Sequence, residues 1–214
     1  MIDNYRHKGL RQKLVQELVS KGIKNTKVLE AIGKIPRHIF MDSSFIQFSY
    51  KDQAFPIAAG QTISQPFTVA FQTELLDIEP GMKVLEVGTG SGYQTAVLLE
   101  MGAKVFTIER QRQLFLISQQ KLGELKYQPM FFYGDGYEGV PGYSPYDRIL
   151  ITAGAPQVPE KLLTQLKVSG KLVAPIGTKS GQEMTLVEKL STDNYDISKH
   201  GGFIFVPMLK GIQR

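Results

Sequence analysis

The sequence predicts an α/β fold: a doubly wound, mostly parallel sheet with an N-terminal helical addition and antiparallel C-terminal edge strands. Three observations carry this reading. From residue 83 onward, short apolar runs alternate with helical patterns at the spacing of βαβ units. Residues 10–33 show only helical periodicity. After Gly181, two strand-like runs follow each other with no helix between them.

At ~100–200 residues per domain, 214 residues are read as one domain, 1–214. Residues 1–66 supply helices and a connecting segment, and residues 67–214 the sheet. With 42% hydrophobic and 21% charged residues the composition is globular. The chain has no Cys, which excludes disulfides, thiolate zinc, iron–sulfur clusters and thiol nucleophiles, and accords with a reducing compartment. Three His, at 7, 38 and 200, are too few and too scattered to suggest a metal site, so none is expected. The charged residues from Asp3 to Lys21 leave no room for a signal sequence. The longest uncharged stretch, 53–73, has only ten apolar residues in 21 and contains Pro56, Gly60 and Pro66. A soluble, cytoplasmic protein with no membrane partner is expected.

In order along the chain, Leu10, Leu14, Val15, Leu18 and Val19 mark one face of a helix ended by Gly22. A short helix follows over 27–33, with Val28, Leu29 and Ile32 inward. Residues 36–66 read as an irregular connection carrying Phe40, Phe45, Phe48, Tyr50 and Phe55. A connection this long suggests a functional loop with structure of its own, its aromatics forming core beneath it. His38 reads as structural. Residues 1–51 hold ten basic and four acidic side chains, net +6, read as a solvated helical face. Arg110 and Arg112 also read as solvated. Strands are expected at Lys83–Val87, Lys104–Glu109, Met130–Tyr133, 148–152 and 171–176, with helices over 93–101, 113–125 and 159–166. The last two strands, 185–190 and 203–206, should pair antiparallel at one sheet edge.

The strongest chemical signal is Glu86-Val87-Gly88-Thr89-Gly90-Ser91-Gly92, a strand running into a glycine-rich turn that opens a helix. Glycines permit positive φ and close backbone approach, and the helix N-terminus offers free N–H groups. Glu109 ends the next strand, 17 residues after Gly92, where a carboxylate can accept both hydroxyl protons of a ribose. A dinucleotide fingerprint needs a third Gly at position 93, which is Tyr, and no G-K-[ST] follows for a phosphate loop. The pattern E-x-G-x-G-x-G resembles the first motif of S-adenosylmethionine-dependent methyltransferases. Glu86 would repel a pyrophosphate and attract the ammonium and sulfonium of that cofactor. Asp135, in Gly134-Asp135-Gly136 after the third strand, is the next polar candidate and would lie near the adenine.

Composition also narrows the acceptor. Cytosine C5 methylation normally uses a Cys, absent here. Amino-directed base methylation usually shows Asp/Asn-Pro-Pro-Tyr after the fourth strand, where this chain has Thr152-Ala153-Gly154-Ala155-Pro156. Nearly the whole chain resembles the protein-L-isoaspartate O-methyltransferase family. The resemblance rests on Gly60-Gln61-Thr62-Ile63-Ser64-Gln65-Pro66, on the glycine loop through Gln94, on Ile108-Glu109-Arg110, and on Gly134-Asp135-Gly136. It continues in Pro145-Tyr146-Asp147, residues 151–156, Pro175-Ile176-Gly177 and Phe205-Val206-Pro207. The family often places Trp after G-D-G, where this chain has Tyr137 and Val140, so aromatic contacts to the adenine stay unassigned.

The resemblance implies a class I, Rossmann-like methyltransferase that uses S-adenosyl-L-methionine, yields S-adenosyl-L-homocysteine and needs no metal. Its acceptor would be the α-carboxylate of L-isoaspartyl residues in aged proteins and peptides. Ser64 is then the catalytic residue. Thr62, Ile63, Glu86, Gly88, Thr89, Gly90, Ser91, Gly92, Glu109, Arg110, Asp135 and Gly136 lie beside the cofactor. The acceptor carboxylate, with pKa near ~3.5, arrives ionised, so no general base is needed. The alternatives are an RNA or small-molecule methyltransferase, or a module that only binds the cofactor. The basic N-terminus lacks an aromatic and arginine platform, so no nucleic-acid partner is expected, and a monomer is.

Overall fold

The computed structural model describes residues 3–178 and 180–214. Helix α1 (Tyr5–Ser20) starts five residues before its apolar stripe because Asn4 caps it, accepting from the His7 amide at 3.0 Å. It ends as expected at Gly22, which takes φ +99°. Helix α2 (Thr26–Lys34) is capped by Asn25 and buries Val28, Ala31 and Ile32.

The aromatic connection has structure of its own. It contains 3₁₀ turns at Arg37–Phe40 and Ser43–Phe48, then a short antiparallel pair, β1 (Phe55–Pro56) and β2 (Thr62–Ile63). Phe40, Tyr50 and Phe55 are buried core residues. Helix α3 (Pro66–Leu76) was not foreseen. Pro66 starts it, and Thr68, Val69, Gln72, Thr73 and Leu76 are all buried, so no one-sided apolar stripe marks it in the sequence.

The sheet follows the expected alternation: β3 (Lys83–Val87), α4 (Tyr93–Glu100), β4 (Lys104–Glu109), α5 (Arg112–Glu124), β5 (Met130–Tyr133), β6 (Tyr146–Ile151), α6 (Glu160–Gln165) and β7 (Leu166–Thr178). Strands β8 (Gly181–Lys189) and β9 (Tyr195–Phe203) complete it. The strand order is β5-β4-β3-β6-β7-β8-β9. Strands β3 to β7 run parallel, and β8 and β9 are antiparallel at one edge. The expected strand over 203–206 is corrected. The edge strand ends at Phe203, and the chain then leaves the sheet to bond Gly154, whose N–H donates to the Val206 carbonyl at 2.8 Å.

Alternate residues of each central strand enter opposite cores. Val84, Val105, Leu150 and Val173 pack with Leu14, Ile32, Phe40 and Val97 on the face covered by the N-terminal helices and α4. Leu85, Phe106, Ile149 and Leu172 pack on the other face with Tyr146 and Leu162. Near-continuous apolar runs in these strands are the consequence of burial on both faces.

The N-terminal charge is not all solvated. Arg11 and Arg37 are interior, 5% and 0% exposed. Arg11 grips Asp3 through both oxygens, at 3.1 and 2.9 Å, and also donates to Tyr50 Oη at 3.0 Å. Two of the three scattered His converge: the His7 and His38 rings stack with centroids 3.9 Å apart. With Asp3 they bring three donor atoms within 4.8 Å of one another, although Arg11 already engages the Asp3 carboxylate. Among the described residues, no helix is long and apolar enough to cross a membrane.

Candidate active site

The carboxyl ends of β3, β4 and β6 open onto a cavity lined by residues of all three strand ends. Its floor is the glycine loop. Gly88 takes φ +99°, and a Cβ there would stand 2.5 Å from Thr152 Oγ1. The Thr152 hydroxyl donates to the Gly88 and Val87 carbonyls at 2.7 and 3.0 Å, pinning the loop to the end of β6. At Gly90 (φ +54°) a Cβ would meet only Ile57 Cδ1, at 4.0 Å.

Glu109 stands at the wall, 5% exposed. Its Oε2 accepts from the Gly90 amide at 2.9 Å and its Oε1 from the Gln111 amide at 2.8 Å. Two backbone donors thus fix the carboxylate, and each oxygen keeps a further acceptor site. Gly88, Thr89, Gly90, Ser91, Glu109, Arg110 and Gly136 line the cavity, joined from the N-terminal side by Thr62, Ile63 and Ser64.

Three predicted site residues stand elsewhere. Glu86 shares the strand face of Val84, so its side chain points under α4 rather than into the cavity, and it is fully buried. Its Oε2 accepts from the Thr95 and Thr107 hydroxyls at 2.5 and 2.6 Å. The hydroxyls of Thr107 and Thr89 meet at 2.6 Å, so a hydrogen-bonded chain runs from the loop to Glu86. Burial pushes the Glu86 carboxyl up to about 8, against the two threonine hydroxyls. It is therefore mostly protonated at neutral pH, and the expected attraction for a cationic ligand is replaced by an anchoring role for Thr89. Gly92 is the turn before α4, where a Cβ would meet Leu122 at 3.0 Å, and it does not line the cavity. Asp135 also lies off the cavity wall. Its carboxylate accepts from the Tyr137 and Gly211 amides at 2.9 and 2.6 Å, tying down the C-terminal segment.

That segment is what the sequence reading missed. Val206, Pro207, Met208 and Leu209 line the cavity after the chain returns across the sheet. Arg110, read both as solvated and as a cofactor neighbour, is half-exposed on the cavity wall and holds this segment: its Nε donates to the Gly211 carbonyl at 2.9 Å. Gln61 and Gln94, noted only as parts of motifs, and Gln111, not noted, also line the site.

A second cavity, an open groove, lies beyond Ser64 along Phe67, Ile176, Gln182 and Phe203 to Val206. Thr62, Ser64 and Val206 border both spaces. Among the described residues, the side-chain hydrogen bond at Ser64 is the one its carbonyl accepts from Arg37, and its hydroxyl has no protein partner. Among the described residues lining the two spaces there is no His and no Lys.

A five-stranded parallel sheet extended by two antiparallel edge strands, with a glycine loop after its central strand and a carboxylate ending the next, defines a class I S-adenosylmethionine-dependent methyltransferase. Comparison with solved structures gives the same class. A structure described as a protein-L-isoaspartate O-methyltransferase superposes with TM-score 0.84 at 31% identity, over 92% of this chain and 65% of that longer one. A Plasmodium falciparum structure solved with S-adenosyl-L-homocysteine has the same fold, at TM-score 0.81 and 24% identity, over 94% of this chain and 98% of that one. Residues 9–213 match the family model described as Protein-L-isoaspartate(D-aspartate) O-methyltransferase (PCMT), and the chain belongs to that family. It is 59% identical over 211 residues to a protein-L-isoaspartate O-methyltransferase of Christiangramia forsetii, covering 98% of this chain and 99% of that protein. It is 56% identical to the one of Cytophaga hutchinsonii, covering 98% and 95%.

Proposed function

We propose that this chain methylates the free α-carboxylate of L-isoaspartyl residues in damaged proteins and peptides, acting as a cytoplasmic monomer. The single observation that carries the reading is the place of Ser64. Its unengaged hydroxyl stands on the border between the glycine-loop cavity and the open groove. A methyl donor on one side and a peptide on the other would meet at that border.

The cavity suits S-adenosylmethionine, which when bound supplies an electrophilic methyl group on a sulfonium. Its residues fit that group. Glu109 keeps two acceptor sites for the ribose hydroxyls, and Leu114, Val87 and Met208 supply apolar walls for a base. Gly90 has open space where a side chain would intrude.

On the acceptor side, the α-carboxylate is ionised at neutral pH and is already a nucleophile. Ser64 donates its hydroxyl proton to one carboxylate oxygen, which leaves the other free to face the methyl donor. Alignment and exclusion of water then supply the acceleration, and no proton has to be removed. His38, the buried histidine nearest this segment in sequence, is pushed down to about 4 by burial and faces Tyr50 and His7, so it has no part as a base.

The test is labelled methyl transfer from S-adenosylmethionine to an isoaspartyl peptide beside its normal aspartyl twin. Label in a base-labile ester on the isoaspartyl peptide alone is expected. Equal labelling of the two would remove the reading.

A further inference from the structure

Among the described residues, Arg37 is the largest fully buried side chain, with no exposed surface and no carboxylate in ion-pair contact. Burial lowers its guanidinium to about 10, so it stays charged at neutral pH. A buried cation without an ion-pair partner is costly unless other groups satisfy it. Here backbone carbonyls satisfy both terminal nitrogens, while the buried Nε is left without a hydrogen-bond partner. One terminal nitrogen donates to the Ser49 carbonyl at 2.6 Å, the other to the Gln53 and Ser64 carbonyls at 3.2 and 3.0 Å. The guanidinium also lies 5.6 Å from the centroid of the Tyr93 ring, on the first residue of α4 after the glycine loop.

These contacts join the two halves of the site. Tyr93 belongs to the element that carries the glycine loop, and Ser64 to the segment that meets the acceptor. Asp52 holds the next residues of the same segment, accepting from the Gln65 side chain at 2.9 Å and the Phe67 amide at 2.7 Å. Asp52 seats residues 65–67 at the start of α3, while the donor on the Ser64 carbonyl itself is Arg37.

We infer that Arg37 is a positioning residue for methyl transfer, fixing Ser64 relative to the glycine-loop cavity through its hydrogen bond to the Ser64 carbonyl. This rests on the proposed role of the Ser64 hydroxyl. A planar fork serves three carbonyls from two stretches of chain, 49–53 and Ser64, at fixed angles, whereas a lysine ammonium is a single point of charge on a flexible stem. Charge alone therefore does not replace it.

The test compares Arg37→Lys, Ser64→Ala and the double variant, with kcat expressed per cofactor site titrated by calorimetry so that unfolded enzyme is not counted. Arg37→Lys should lower kcat by about 10²-fold, the loss typical of a misplacement near 1 Å, and leave cofactor affinity within about threefold. The double variant should be about as slow as Ser64→Ala alone, because both changes act through one hydroxyl. Arg37→Gln is the second variant if the lysine form folds poorly. Arg37→Lys at the parent rate, or losses that multiply in the double variant, would overturn the Arg37 assignment and leave Ser64 standing. Ser64→Ala at the parent rate would overturn the role of the hydroxyl and the path from Arg37 with it. If neither Arg37 variant yields folded, cofactor-binding protein, the residue serves the fold as a whole and the inference fails.

Discussion

The two halves of the site are built by different means. On the sheet side, strand ends and glycine φ angles place Gly88, Gly90 and Glu109, and backbone amides lock the carboxylate. On the N-terminal side, the segment around Ser64 has only the short β1–β2 pair, and interior charged groups seat it, Arg37 at the Ser64 carbonyl and Asp52 at residues 65–67. The sheet half is rigid by periodicity, and the N-terminal half by a few long-range polar bonds. Changes in the two halves should therefore surface in different constants.

The largest expected effect is on the N-terminal side. Ser64→Ala should lower kcat by about 10²-fold, the usual loss of one donor in a transition state, with cofactor affinity unchanged by calorimetry. A matching loss of cofactor affinity would mean the halves are not separable. Next comes the sheet side. Glu109→Gln should weaken cofactor binding about tenfold, in the ~1–3 kcal/mol range for charge-assisted hydrogen bonds, while kcat at saturating cofactor stays near the parent value. Unchanged affinity would remove Glu109 from the ribose.

The smallest effect separates the halves by pH. His38, on the N-terminal side, is held at about 4, so below about 6.5 the unfolded chain binds a proton that the fold refuses. Stability from this source falls as pH drops through that window. Glu86, under the sheet, is held at about 8, so above about 4.5 the fold keeps a proton that the unfolded chain releases. Stability from this source falls as pH rises toward 8. Between pH 6.5 and 8 only the Glu86 slope of these two remains. The parent's thermal midpoint should fall by a few degrees across that interval, at about 2–4 °C per kcal/mol for a chain of this size, and the Glu86→Gln variant should stay flatter. Parallel curves would show that the slope has another origin.

The same contrast explains what could be read in the sequence. Strands such as Lys83–Val87 and Lys104–Glu109 declare themselves because burial on both faces leaves apolar runs broken inside only by Glu86 and Thr107, and the loop declares itself by its glycines. Glu86 was misplaced because spacing along a strand gives its face but not what covers that face, which here is Thr95 of α4. Helix α3 was hidden because it is buried on nearly every side. Arg37 looked like one more solvated cation, since the carbonyls that satisfy it lie 12, 16 and 27 residues away. The cavity wall at residues 206–209 had no local signal, since it forms only by folding back onto Gly154.

That return has a consequence for how the site comes into being during synthesis. Glu109 and the glycine loop leave the ribosome early, but the wall against them at Leu209 follows 100 residues later. The wall is held by bonds that run back to the first half of the sheet, from Arg110 to Gly211 and from Tyr133 to Gln213. A nascent chain can thus complete its parallel strands before it owns a closed cofactor chamber. Methyl-transfer competence is in this sense acquired only once residues 206–213 have been made and have folded back, and a chain arrested before them would lack that wall for S-adenosylmethionine.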